Sequence, residues 1–163
     1  MTAHATVCNF PAIPLRKEQA MAVWPQVTTK PVMTDQDASA VLRAAEAKAI
    51  ESGAAMVIAV VDDAGLLKAF VRMDGTPNGA IEWTINKAVT AASFQAPTHM
   101  LAEGVQSLPA VMASMISLPH VNLTLGGYPL SLGGAVVGAI GAGGGTPEQD
   151  QAVAEAGAAA LDD

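Results

Sequence analysis

Between Leu125 and Asp150 the chain reads LGGYPLSLGGAVVGAIGAGGGTPEQD, with glycines at 126, 127, 133, 134, 138, 141, 143, 144 and 145. So many glycines in one span give up side chains where backbone must turn tightly or come close to something. Apolar residues between them read as strand, and the last cluster opens into a helix. Thr146 is placed as N-cap, Pro147 suits the first helical position, and Gln149 completes a Thr-x-x-Gln capping box. A strand, a glycine corner and a capped helix therefore follow one another directly, and the rest of the chain must be arranged around them.

Upstream, Thr34 caps a helix with Asp37 three residues on, and Ala38, Val41, Leu42, Ala45 and Ala49 recur at helical spacing until Gly53. Met56 to Val61 is a continuous apolar run, which suits a central strand buried on both faces. Asp62-Asp63-Ala64-Gly65 is turn chemistry, and Leu66 to Met73 returns as a second strand, making a hairpin. A loop holds Gly75, Pro77 and Asn78. Ala80 to Phe94 reads as a helix that carries a lysine, Lys87, among small apolar residues, and Pro97 ends that segment. A methionine-rich helical pattern follows (Leu108, Val111, Met112, Met115, Ile116) and is closed by Pro119; core packing is the usual use of such a pattern. Strands are expected near Val121 to Leu125, Tyr128 to Leu132 and Ala135 to Ala142, then a helix from Pro147 to about Leu161. Strands that group into hairpins indicate an α+β fold, an antiparallel sheet covered by helices.

At 163 residues this is one domain with room for a real core. Residues 1–33 carry four prolines and no clear period, and read as an N-terminal arm before a domain at 34–163. Apolar residues make up 51% and charged residues 14%, against a usual charged share of roughly a quarter. So little charge predicts subunit contacts and a homo-oligomer. A net charge of −7 argues against nucleic acid and anionic membranes as partners. No apolar run reaches the roughly 18 residues of a membrane span. The single cysteine, Cys8, forms no internal disulfide, and no signal peptide is legible. The expected location is the cytoplasm.

Four stretches in this order, VVDDAG at 60–65, RMDG at 72–75, ExxxxKAxTAASF at 82–94 with Pro97-Thr98, and the glycine span at 126–150, resemble the GlcG/HbpS family. That family includes haem-binding proteins and the C-terminal domain of PduO-type proteins. The resemblance covers about residues 34 to 161. It implies a profilin-like sandwich with about five antiparallel strands and helices on its faces. It also implies oligomers and, for some members, haem or a related tetrapyrrole. Three departures stand out: the N-terminal arm does not resemble the secretory leader of some haem-binding members, Gly133-Gly134 replaces an Asp-Gly, and Ala142-Gly143-Gly144 replaces a Val-Ser-Gly.

Several residues are candidates for chemistry. The glycine corner before a helix start is an anion cradle in principle, through its free N–H groups and the helix dipole. It is neither a Walker motif nor a dinucleotide fingerprint. Close strand-to-helix packing is the structural use of the same glycines. Gly126, Gly127, Tyr128, Gly141 and Gly143 are the candidate ligand contacts there. Lys87 is a candidate base or Schiff-base amine with Glu82 as acid partner, and alternatively one half of a structural ion pair with Asp62, Asp74 or a neighbouring subunit. Arg72 can clamp a carboxylate, including a haem propionate, or brace Asp74. His4, His99 and His120 match no zinc spacing. For haem, His99 or His120 is the candidate axial ligand, with Tyr128 or a methionine as alternative.

Two functions follow. One is a binding protein for haem or another planar or acidic small molecule. The other is a small isomerase- or lyase-type enzyme acting next to a carbonyl. Both need Lys87 and the glycine corner to border one hollow.

Overall fold

A computed structural model describes residues 29–161. Most of the expected N-terminal arm, with His4 and Cys8, lies outside them.

Helix α1 (Asp35–Glu51) starts as its sequence dictates. The Thr34 hydroxyl accepts from the Asp37 N–H at 3.2 Å, and the Asp37 carboxylate accepts from the Thr34 N–H at 2.8 Å. Its buried stripe is Ala38, Val41, Ala45 and Ala49. Strand β1 (Val57–Asp62) is buried through its first five residues. It pairs antiparallel with β2 (Leu67–Arg72). The turn between them is held by the Asp62 carboxylate, which accepts from the N–H groups of Ala64 and Leu66 at 3.0 and 2.9 Å. Helix α2 (Ala80–Phe94) follows, then two short helices, α3 (Thr98–Val105) and α4 (Pro109–Ile116). Strands β3 (Gly127–Leu132) and β4 (Ala135–Gly143) form a second hairpin, and α5 (Pro147–Ala158) closes the fold. At the β3–β4 turn, Gly133 and Gly134 have φ of 57° and 80°, the left-handed pair that a tight two-residue hairpin requires.

The four strands form one antiparallel sheet in the order β2-β1-β4-β3. Alternation along the strands sends side chains to two helical layers. Met56, Ile58, Val60, Ile140 and Ala142 pack with Val41 and Ala45 of α1 and Val153 and Ala154 of α5. Val61 and Ala139, on the opposite face, pack with Ala88, Ala91 and Ala92 of α2. The α+β architecture expected from the sequence is therefore present, with the sheet between helices.

The second layer is unusually close. A Cβ at Gly127 would lie 2.6 Å from the carbonyl oxygen of Lys87, and one at Gly141 would lie 3.0 Å from the backbone nitrogen of Ala88. The glycines let the α2 backbone rest directly on β3 and β4.

Three expectations are corrected. The sheet has four strands, not about five, because 121–125 forms no strand. Its polar groups are spent locally: the Asn122 N–H donates to the Thr90 hydroxyl, the Asn122 side chain accepts from the Thr124 N–H, and the Thr124 carbonyl accepts from the Thr98 hydroxyl. Such side-chain bonds compete with a ladder. Secondly, Pro97 does not simply end a helix; it stands at the start of α3. Thirdly, the methionine-rich α4 is not core. None of its residues is buried, and Val111 and Ile116 are exposed.

Candidate functional site

Lys87 sits in the middle of α2 with 1% of its surface exposed. Its ammonium donates to the Ala142 carbonyl at 2.9 Å and to the Asp150 carboxylate at 2.7 Å. One amine thus joins α2, the end of β4 and the first turn of α5. Burial pushes the Lys87 pKa below the ordinary 10.5, opposed by the hydrogen bond and charge of Asp150.

Asp150 also accepts from the Gly145 N–H at 3.0 Å. Beside it the α5 capping box is complete: the Gln149 side chain accepts from the Thr146 N–H at 2.9 Å, and the Thr146 hydroxyl accepts from the Gln149 N–H at 3.3 Å. The Gly145 and Thr146 amides at the end of the glycine corner are therefore taken up by the chain's own Asp150 and Gln149. Asp150 occupies the position an incoming carboxylate would take in an open cradle.

Next to this pair is a cavity of ≈ 200 Å³ lined by Trp83, Lys87, Thr124, Leu125, Gly145, Pro147 and Asp150. Trp83 is 53% exposed and supplies a flat apolar wall. Asn122, which is buried, ties two walls together. Its amide nitrogen donates to the Trp83 carbonyl at 3.1 Å, and its carbonyl oxygen accepts from the Thr124 N–H at 3.0 Å and the Thr124 hydroxyl at 2.7 Å. Lys87 has three protons, and two have protein acceptors. Among the described residues the third has none.

The structure brings Lys87 and the glycine corner together, and leaves other sequence candidates elsewhere. Glu82 is exposed, and the acid beside Lys87 is Asp150 rather than Glu82, Asp62 or Asp74. Arg72 bonds the Asn78 side chain at the end of β2 and does not line the cavity. Gly126 packs on Asp150: a Cβ there would come within 2.9 Å of the Asp150 Cβ. Gly143 lies against the Thr84 hydroxyl, which is buried without a partner. His99 stands on α3 beside Tyr128, with ring centroids 6.4 Å apart, and its Nδ1 is buried without a partner. His120 has φ of 65° and its Nδ1 is 3.3 Å from the Asn86 amide oxygen. Neither histidine lines the cavity. Among the described residues no three His, Cys, Asp or Glu side chains cluster to hold a metal ion, and no helix is long and apolar enough to cross a membrane.

Sequence reasoning missed Trp83, Asn122, Thr124 and the pairing role of Asp150. The Asn-x-Thr spacing at 122–124 is a recognisable turn former. Nothing in the sequence ties it to Trp83, 39 residues earlier.

The family model described as haem degrading protein HbpS-like matches residues 33–159. The chain belongs to the HbpS-like family. Protein GlcG of Escherichia coli K12 is 35% identical over 113 residues, which is 69% of this HbpS-like chain and 82% of GlcG. The crystal structure of a double mutant of HbpS from Streptomyces reticuli is 31% identical and superposes with a TM-score of 0.77, covering 93% of this chain and 99% of that one. A PduOC–haem complex is 28% identical with a TM-score of 0.74, covering 81% of this chain and 96% of that one.

Proposed function

We propose that this HbpS-like protein binds a planar small molecule carrying a carboxylate or carbonyl, with haem the first candidate. The observation that carries the reading is the cavity with Lys87 at its base and the exposed face of Trp83 on its wall. The third Lys87 proton meets an oxygen acceptor on the ligand, and the indole takes its flat body. The PduOC–haem complex and the family's description support haem.

The fit to haem is partial. At ≈ 200 Å³ the cavity is smaller than the roughly 300–1,000 Å³ of sites for drug-sized ligands. A cavity of this size would hold a propionate arm beside Lys87, and the exposed Trp83 would face the macrocycle. The described cavity residues include no histidine, so they supply no axial imidazole there. His99 beside Tyr128, and His120 beside Asn86, stay as axial candidates only for a haem bound elsewhere on the surface. Titration of the protein with haem, followed by absorbance, tests the reading. A saturable Soret shift that weakens in Trp83→Ala supports it, and an unchanged spectrum overturns it for haem.

A second reading has Lys87 as base or Schiff-base amine in an isomerase- or lyase-type reaction, with Asp150 in the partner role first given to Glu82. It is favoured by the lowered pKa of a buried lysine beside a cavity. Incubation with small oxo acids and borohydride, then intact mass, tests it; no adduct on Lys87 removes the Schiff-base version. Exposed Leu66, Met100, Leu108 and Ile116 support the homo-oligomer expected from the low charge content. Sedimentation analysis tests that assembly.

A further inference from the structure

The Thr124 hydroxyl hydrogen bonds in one direction only. The Asn122 amide cannot be turned over, because its oxygen accepts from the Thr124 N–H at 3.0 Å and its nitrogen donates to the Trp83 carbonyl at 3.1 Å. A backbone N–H never accepts and a carbonyl never donates. The oxygen end of Asn122 is therefore the end that meets the Thr124 hydroxyl at 2.7 Å. That hydroxyl must give up its single proton to Asn122, and only lone pairs are left on it.

We propose that Thr124, locked by Asn122, is a specificity-determining acceptor in the Lys87 cavity, and that the ligand carries a hydroxyl or N–H donor on the edge facing it. The inference rests on the reading that the cavity binds a planar acid, and it adds a polarity pattern that haem, with only ionised propionates and hydrocarbon groups at its edge, does not meet, so it points to a planar acid other than haem. Lys87 offers a proton at one part of the wall, and Thr124 requires a proton at another. A ligand with an ether, halide or methyl at that edge leaves the Thr124 lone pairs desolvated and unmatched. A single missing hydrogen bond of this kind is worth roughly tenfold in affinity.

The probes are the three hydroxybenzoates and the three methylbenzoates, planar acids that differ by one donor at nearly constant size. Dissociation constants are measured by calorimetry on the wild type, Thr124→Val and Thr124→Ser. The expected result is that at least one hydroxybenzoate binds the wild type about tenfold more tightly than its methyl isostere. The preference should vanish in Thr124→Val and return in Thr124→Ser. Equal binding of each isosteric pair by the wild type, or a preference that survives in Thr124→Val, overturns the proposal and leaves the planar-acid reading standing. Failure of all six acids to bind the wild type overturns this inference, and the planar-acid reading then stands or falls on the haem titration. Thr124→Val also removes the hydroxyl's bond to Asn122, which Thr124→Ser keeps, so thermal unfolding of both variants accompanies the titrations.

Discussion

The Lys87 ammonium and the Asp150 carboxylate, 63 residues apart in the chain, meet at 2.7 Å with 1% and 9% of their side-chain surfaces exposed. A lysine on the middle helix and an acid one turn into the last helix neutralise each other over a floor made of glycine. The pair closes the end of the molecule where three elements converge, and it forms the polar base of the cavity.

Removing one partner leaves the other charged and buried. Asp150→Ala is expected to cost about 3–5 kcal/mol, measured by urea unfolding. The double variant Lys87→Met with Asp150→Leu should lose less than the sum of its two single changes. Simple additivity would show that the two groups do not interact.

The lowered Lys87 pKa carries a defined pH dependence. Between its folded value and the ordinary 10.5, the unfolded chain holds a proton that the folded chain has released. Stability from this group therefore rises with pH across that window, and is lowest where both states are protonated. Unfolding free energies measured at rising alkaline pH up to 10.5 should climb more steeply in the wild type than in Lys87→Met. Parallel profiles would contradict the assignment.

Glycines in this chain divide by what a methyl group would meet. Gly127→Ala drives a Cβ to 2.6 Å from the Lys87 carbonyl oxygen, and overpacking of this kind costs about 1–3 kcal/mol. Gly104, inside α3, has nothing within 4 Å of its added Cβ. Gly104→Ala should stabilise by about 0.5–1 kcal/mol. Thermal unfolding of the two variants should move in opposite directions.

At the entry to α5, Thr146→Ala removes the acceptor for the Gln149 N–H. It should cost about 1 kcal/mol, and Thr146→Ser should recover most of it. An unchanged midpoint for Thr146→Ala would mean that the Pro147 turn holds without its cap.

Much of this was legible in the chain. Both capping boxes, at Thr34 and Thr146, follow from local chemistry and stand where the sequence places them. The β1–β2 hairpin and the glycine pair of the β3–β4 turn are likewise local. Lys87 was conspicuous because a charge among alanines must find a partner. Its partner was not legible: Asp150 reads as an ordinary acid in the first turn of a helix, and only the fold brings it to α2. Residues 121–125 have strand composition, yet Asn122 and Thr124 turn their hydrogen bonds onto Thr90, Trp83 and each other. Helix α4 carries apolar residues at helical spacing that the described chain covers only in part, at Met112 and Met115, so its period gave the element and not its burial.

The most direct test of the ligand site is paramagnetic mapping with ferric haem on the ¹⁵N-labelled protein. The account predicts that the amide signals of Trp83, Thr124, Leu125 and Gly145 broaden first and saturably. No broadening, or broadening confined to the surroundings of His99 and Tyr128 with Trp83 and Gly145 untouched, would contradict it.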